Sequence, residues 1–156
     1  MARRKQQVLQ EVLTNQEEWD NFMSRAGLSI IDCHQGWCGP TKPVIGLFKR
    51  VKTELGSEVL SFATADCDSI DSLEQYRDNC QPCFHFYSAG QLCAIIRGCD
   101  APQLEMLIRE KTALEEAIVR GEAERGMFVD PELENQVTGV IDILVYYGWF
   151  TEQFDQ

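Results

Sequence analysis

The segment Leu28-Ser29-Ile30-Ile31-Asp32-Cys33-His34 is followed at once by Trp37-Cys38-Gly39-Pro40-Thr41. A largely apolar run of this length suits a strand at the centre of a sheet that is covered on both faces. The glycine and proline after Cys38 make a turn. Beyond it Val44, Ile45, Phe48, Val51 and Leu55 recur at helical spacing, so the reading places a helix from the Cys38 turn to about Leu55. Pro43 is tolerated in its first turn. A buried strand that feeds a turn and then an amphipathic helix confines the chain to an α/β architecture.

The flanking segments extend that pattern. Gln6 to Leu13, with Val8, Leu9, Val12 and Leu13, reads as a first strand, although its spacing also fits a helical turn. Thr14 or Asn15 caps a helix that carries Trp19, Phe22 and Met23 on one face. Val59 to Ala65 is a third strand, and Asp68 or Ser69 can cap a short helix bearing Ile70, Leu73 and Tyr76. Pro82 precedes the strand Cys83-Phe84-His85-Phe86-Tyr87, Ser88-Ala89-Gly90 makes a hairpin turn, and Gln91 to Arg97 returns as its partner. Gly98 ends that strand, and a helix from Ala101 to about Arg120 sets Leu104, Leu107, Ile108, Leu114 and Ile118 on one side. The order is β-α-β-α-β-α-β-β-α, a mixed central sheet between helices. Residues 1–120 form this domain, and 121–156 a C-terminal extension.

Gly121 to Pro131 has the composition of a linker. After it Val137, Val140, Ile141, Leu144 and Val145 fit an amphipathic helix, while Val140 to Phe150 is β-branched and aromatic enough for a strand. From Gly121 to Gln156 there are eight acidic residues against one basic, Arg125, and six of the fifteen aromatics. An acidic stretch with Tyr146, Tyr147, Trp149 and Phe150 points to docking on another protein, and packing on its own domain is the alternative. The net charge of −11 argues against nucleic acid and anionic membrane surfaces as partners. No run approaches the ~18 consecutive apolar residues of a membrane span. The basic start Arg3-Arg4-Lys5 leads into no apolar secretory segment and reads as a solvated terminus.

Seven cysteines, an odd number with no secretory segment, indicate reduced thiols. Cys80-Gln81-Pro82-Cys83 has metal-like spacing, but a structural zinc site needs four ligands and no second close pair follows, so neither metal nor cofactor is expected. A Cys-x-x-Cys pair reduces disulfides in two steps, the first thiolate attacking and the second resolving the mixed disulfide. Cys38 has the attacker's place, and Thr41 stands where the resolving thiol would be. A cysteine at a helix N-terminus is favoured as thiolate. Cys80 or Cys83, flanking Pro82, could resolve instead. Cys33, pointing opposite to Asp32 on its strand, could not do so easily. Cys33, Cys67, Cys93 and Cys99 read as small core or surface fillers. His34 and His85 are conceivable bases for Cys38, though a histidine near a strand end is more often structural.

Five features in order make residues 6 to about 115 resemble a thioredoxin: Asp32, the Trp37-Cys38-Gly39-Pro40 turn, Asp68, Pro82 and Gly98. The resemblance implies the thioredoxin fold, with Cys38 as redox nucleophile and Trp37 as an apolar contact surface. It also implies Pro82 as a cis proline that leaves the backbone beside Gln81 open to an extended peptide, and Asp32 as the buried carboxylate that serves the resolving thiol. Thr41, His34 and Thr64 depart from the family, replacing the resolving cysteine, a second tryptophan and a lysine. With no thiol at position 41, Asp32 is expected to bond to Thr41 or water. Gln7-Val8-Leu9-Gln10-Glu11-Val12-Leu13-Thr14-Asn15-Gln16 and Tyr76-Arg77-Asp78-Asn79-Cys80-Gln81-Pro82 are similar to axonemal members, the thioredoxin-like light chains of outer-arm dynein and fusions to nucleoside diphosphate kinase. The chain has no room for a kinase domain, which favours a light chain. That resemblance implies a subunit in the cytoplasm and cytoskeleton, in the axoneme of a cilium or flagellum. Its partners would be a dynein heavy chain and other outer-arm subunits, and its redox role would be vestigial or absent. The alternatives are a monothiol oxidoreductase and an adaptor that traps targets through Cys38.

Overall fold

The computed structural model describes residues 8–134. The chain divides into two compact units, Met1–Gly126 and Met127–Gln156. The first holds β1 (Gln10–Leu13), α1 (Gln16–Met23), β2 (Leu28–His34), α2 (Val44–Leu55), β3 (Leu60–Asp66), a 3-10 helix (Asp71–Tyr76), β4 (Cys83–Ser88), β5 (Gln91–Arg97) and α3 (Ala101–Val119). The strands form one five-stranded sheet in the order β1-β3-β2-β4-β5. β1 and β2 run parallel to β3, while β2 with β4 and β4 with β5 are antiparallel, giving the expected mixed sheet.

Alternation along β2 assigns its two faces. Leu28 and Ile30 join Phe62, Phe84, Phe86 and Ile96 under α2 and α3, where Val44, Phe48, Val51, Leu104 and Ile108 complete the core. Phe48 stacks on Phe62 at 4.5 Å between ring centres and meets Phe84 edge-on at 6.1 Å. On the opposite face Trp19 meets Tyr87 edge-on at 5.4 Å, and Tyr76 meets His85 at 4.4 Å. The sheet is thus covered on both sides, as the apolar composition of β2 requires.

Element ends follow local chemistry. Asn15 caps α1 by accepting the Glu18 N–H at 2.9 Å, and the Glu18 carboxylate returns to the Thr14 N–H at 2.7 Å. Asp100 caps α3 through the Gln103 N–H at 3.1 Å. In the β4–β5 turn both Ala89 and Gly90 have positive φ, and a Cβ at Gly90 would lie 2.7 Å from the Met23 carbonyl oxygen.

Four expectations need correction. α2 begins at Val44 and not at the Cys38 turn. The residue before a proline is pushed away from helical dihedrals, which acts at Gly39 and Lys42, and Gly39 has φ +68. The short helix is 3-10 and has no side-chain cap, because Asp68 is engaged elsewhere. On α3 Leu114 is exposed, whereas Thr112 and Glu115 are buried. Glu115 bonds to the Ser88 hydroxyl and pairs with Arg125 at 2.8 Å, while the Arg125 Nε donates to Ser88 Oγ at 2.9 Å. Residues 121–126 therefore belong to the first unit through Arg125. The fourth correction is at Pro82. Every described peptide bond is trans, including that before Pro82, where a cis bond was expected. Trans is the intrinsic preference of an X–Pro bond by about 0.5–1 kcal/mol, and the Pro82 carbonyl is fixed by the Gly98 N–H at 2.7 Å.

In the second unit Asp130 caps a helical turn that starts at Pro131, accepting the Glu132 N–H at 3.1 Å. The helix expected at 137–145 and the aromatic residues Tyr146, Tyr147, Trp149 and Phe150 lie outside the described residues.

Phe48→Ala removes a fully buried ring from between two others, and is expected to cost about 3–5 kcal/mol of unfolding free energy. Leu114→Ala, on the exposed side of α3, should change stability by less than about 0.5 kcal/mol. Urea unfolding of both variants beside the parent checks the contrast.

Candidate functional site

β2 delivers its last residues to the sheet end where the chain must leave for α2. The first residue beyond it, Gln35, is buried. Its carbonyl accepts the Cys38 N–H at 3.2 Å and the Gly39 N–H at 3.1 Å, and the Cys38 thiol lies 3.5 Å away. The ring Nδ1 of His34 is 3.1 Å from the same oxygen. The side chain of Gln35 reaches the other way. Its Nε2 donates to the Tyr76 carbonyl at 2.9 Å, and its Oε1 accepts the Asp78 N–H at 3.2 Å. One buried amide thus ties the Cys38 turn to the segment that leads to Cys80, satisfying backbone groups that neither loop could pair by itself.

Asp68 secures the turn from the β3 side by accepting the Gly36 N–H at 2.8 Å. A Cβ at Gly36 would sit 2.9 Å from that carboxylate oxygen, so a larger residue there would displace the Asp68 side chain. Asp66 in turn holds Asp68 in place through the Asp68 N–H at 2.9 Å.

Beneath the turn Asp32 is fully buried. It accepts the Thr41 N–H at 2.7 Å and, more weakly at 3.4 Å, the Thr41 hydroxyl. This is the bond to Thr41 expected from the loss of the resolving thiol. Burial pushes the Asp32 carboxyl above the usual carboxylate range, against the opposing pull of the Thr41 N–H, nearby His34 and the Thr41 hydroxyl. Thr64, in register with Asp32 on β3, is buried too, and its hydroxyl has no hydrogen-bond partner among the described residues. Thr64 thus stands beside Asp32 in the place where the family resemblance calls for lysine.

His34, Cys38, Gly39, Pro40, Thr41, Cys80 and Pro82 line one groove of about 390 Å³. Cys38 and Cys80 are both exposed. Trp37, next to Cys38 in the turn, is 74% exposed. The candidates Cys38, Gly39, Pro40, Thr41, Cys80 and Pro82 are therefore brought together, with Asp32 behind them. The Gln81 N–H, expected to be open to a peptide, is already used by Asn79 Oδ1 at 3.1 Å. A wider depression of about 820 Å³ lies at the C-terminal end of α2 and contains no thiol.

Cys83 is not part of the groove. It opens β4, pairs in register with Cys33, and is buried with its sulfur 3.2 Å from His85 Nε2. His85 Nδ1 lies 3.3 Å from the Tyr87 hydroxyl, so this histidine serves the buried face and not Cys38. The Cys33 thiol lies 3.8 Å from the Ile31 carbonyl oxygen, and burial pushes it well up, while neighbouring Cys33 draws the Cys67 thiol down. Among the described residues no group of three or more His, Cys, Asp and Glu side chains could hold a metal ion, and no helix is long and apolar enough to cross a membrane. Sequence reasoning missed Gln35. The available signal was an amide directly after a strand end, facing a turn with more backbone donors than local acceptors.

Asp32→Asn tests the buried charge. A carboxyl whose folded pKa is raised opposes folding once ionised. The penalty is absent below the ordinary carboxylate range, grows as pH rises through it toward the folded value, and is full above. The asparagine variant should unfold at higher temperature than the parent at neutral pH, with the gap shrinking toward zero below about pH 4. Thermal melts across that range read the sign directly.

Comparison with known proteins agrees with this geometry. The sequence profile described as Thioredoxin matches residues 10–110. Thioredoxin domain-containing protein 3 homolog of Ciona intestinalis is 48% identical over 130 residues, 83% of this chain and 20% of that protein. Thioredoxin domain-containing protein 6 of Homo sapiens is 39% identical over 135 residues, 86% of this chain and 41% of that one. The chain thus spans between a fifth and about two fifths of the length of these two relatives. Among solved structures, mitochondrial thioredoxin 3 of Saccharomyces cerevisiae aligns with a TM-score of 0.52 at 27% identity, over 65% of this chain and 94% of that one. Thioredoxin of Plasmodium falciparum aligns with a TM-score of 0.53 at 25% identity, over 64% and 97%. With the mixed sheet, the Cys38 turn at the end of β2 and the buried Asp32 behind it, the chain belongs to the thioredoxin family.

Proposed function

We propose that this thioredoxin domain is a binding module of the outer dynein arm in a cilium or flagellum, held on the tail of a dynein heavy chain. Cys38 serves it as a redox-sensitive handle, in a turn that holds no resolving thiol of its own. The observation that carries the reading is Thr41: its N–H and hydroxyl are both directed at Asp32, in the place where a resolving thiol would work. A thioredoxin turn without that thiol attacks a disulfide but does not complete its reduction from within the turn. The exposed Trp37 beside the groove supplies an apolar contact of the kind that partner surfaces use. The axonemal assignment draws on the resemblance of residues 7–16 and 76–82, and on the acidic, aromatic composition of residues 121–156.

A monothiol oxidoreductase is the second reading, favoured by one observation: Cys38 is exposed in a groove lined also by the buried Cys33 and the exposed Cys80.

The full chain, tagged and kept in reductant, should recover a large motor subunit from ciliary extract. A variant with Tyr146, Tyr147, Trp149 and Phe150 all changed to alanine should lose it, while Cys38→Ser should keep it. Recovery of many proteins only without reductant, abolished by Cys38→Ser, would replace the light-chain reading with the oxidoreductase one.

Thr41→Cys restores a Cys-x-x-Cys turn on an otherwise complete scaffold. It should raise dithiothreitol-driven insulin reduction by roughly tenfold or more over the parent. Equal turnover by the two proteins would show that Cys38 already has an efficient resolving route.

A further inference from the structure

Cys80 occupies a place that neither the turn motif nor the fold requires. It is exposed, and it lines the same groove as Cys38, whereas Cys83, three residues later, is turned into the opposite side of the sheet. Residues 77–82 form turns and bends between the 3-10 helix and β4, so no strand or helix ladder fixes the backbone at Cys80. What holds this segment beside Cys38 is Gln35, with its carbonyl on the Cys38 and Gly39 N–H groups and its side chain on Tyr76 and Asp78. Asp78 has φ +61, and its N–H is one of the two groups that the Gln35 side chain engages. The chain leaves this anchored point two residues before Cys80.

From this geometry we infer that Cys80 is the releasing thiol for whatever Cys38 captures, and that Gln35 is the positioning residue that keeps the pair in one groove. The inference rests on the reading of Cys38 as the reactive thiol of the groove.

The step balances with a disulfide as the only oxidant. The Cys38 thiolate attacks a disulfide R–S–S–R′, forming Cys38–S–S–R and expelling R′–S⁻, which takes up the proton that Cys38 gave up. The Cys80 thiolate then attacks the Cys38 sulfur. A Cys38–Cys80 bond forms, the Cys38–S–R bond breaks, and R–S⁻ leaves and takes up the proton from Cys80. The two protein thiols are oxidised and the captured disulfide is reduced to two thiols. Closing the bond brings the two Cα atoms to within about 4.4–6.8 Å, through movement of the 78–82 segment. A partner tethered in the groove is thereby let go, and the groove stays closed by its own disulfide until an external thiol reopens it.

Oxidised glutathione is the probe, applied to the reduced full-length protein, with intact mass and peptide mapping under acid quench as the readout. The parent should form a transient Cys38–glutathione adduct that converts to a Cys38–Cys80 linkage. Cys80→Ser, at an exposed position, should leave the Cys38 adduct in place, and Cys38→Ser should give no intramolecular linkage. Gln35→Glu keeps an acceptor for Asp78 but loses the donor to Tyr76. It should slow closure roughly tenfold more than it slows formation of the first adduct, the effect of about one hydrogen bond.

A parental adduct as long-lived as that of Cys80→Ser, or a linkage from Cys38 to any other cysteine, would overturn the role of Cys80 and leave Cys38 as the groove's reactive thiol. Absence of any Cys38 adduct even in Cys80→Ser would overturn that underlying reading as well. Equal slowing of both steps in Gln35→Glu would make Gln35 a structural residue only.

Discussion

β2 has a strand on each edge and an apolar layer on each face, so its path is set before any functional residue is placed. β3 and β4 fix its two sides over nearly its whole length. Leu28 and Ile30 on one face and Ile31 and Cys33 on the other are all buried. Only the C-terminal end is free to diverge, and the site is built there. Asp32 and His34 are the last residues of this strand on the α2 face, Gln35 is the first beyond it, and Cys38 follows within one turn. The precision of the groove comes from a rigid strand and not from the loop that carries the thiol.

The loop itself is held by polar groups that the strand and its neighbours present. Gln35, Asp68 and Asp32 among them accept five loop N–H groups, of Gly36, Cys38, Gly39, Thr41 and Asp78. In a segment with two prolines and no helix before Val44, these bonds replace the ladder that regular structure would provide. Asp32 serves this loop as a buried acceptor. With Thr41 above it and Thr64 beside it, its carboxylate accepts a backbone N–H, and burial sets a cost against that use.

Much of this was legible in the chain. The apolar run of β2, the proline before β4 and the Ala89-Gly90 turn located the strands and their order. The same cues led to residues 37–41 and Asp32. The start of α2 was misread because apolar spacing marks which face is buried, not where backbone dihedrals become helical, and Pro40 and Pro43 decided the latter. Leu114 was assigned to the core by the same spacing, but the inward side of the last turns of α3 is given to Thr112 and Glu115, which find polar partners there. Pro82 follows the intrinsic trans preference. Gln35 was invisible because its importance lies in bonds to residues 41 and 43 positions away, a distance no local pattern records. Cys80 and Cys83 looked equivalent beside Pro82, and only strand alternation from Cys83 onward separates them.

Arg125 gives the domain an edge that composition hides. It sits in a glycine-containing, acidic stretch that has the look of a tether, yet its guanidinium bonds to Glu115 and Ser88. A cleavage or fusion joint placed before it would leave a carboxylate inside the fold with its counter-charge cut away. The acidic extension therefore starts on the far side of this arginine. Within the first unit Arg125 is thus what fastens the stretch beyond α3 to the sheet, through Ser88 at the end of β4.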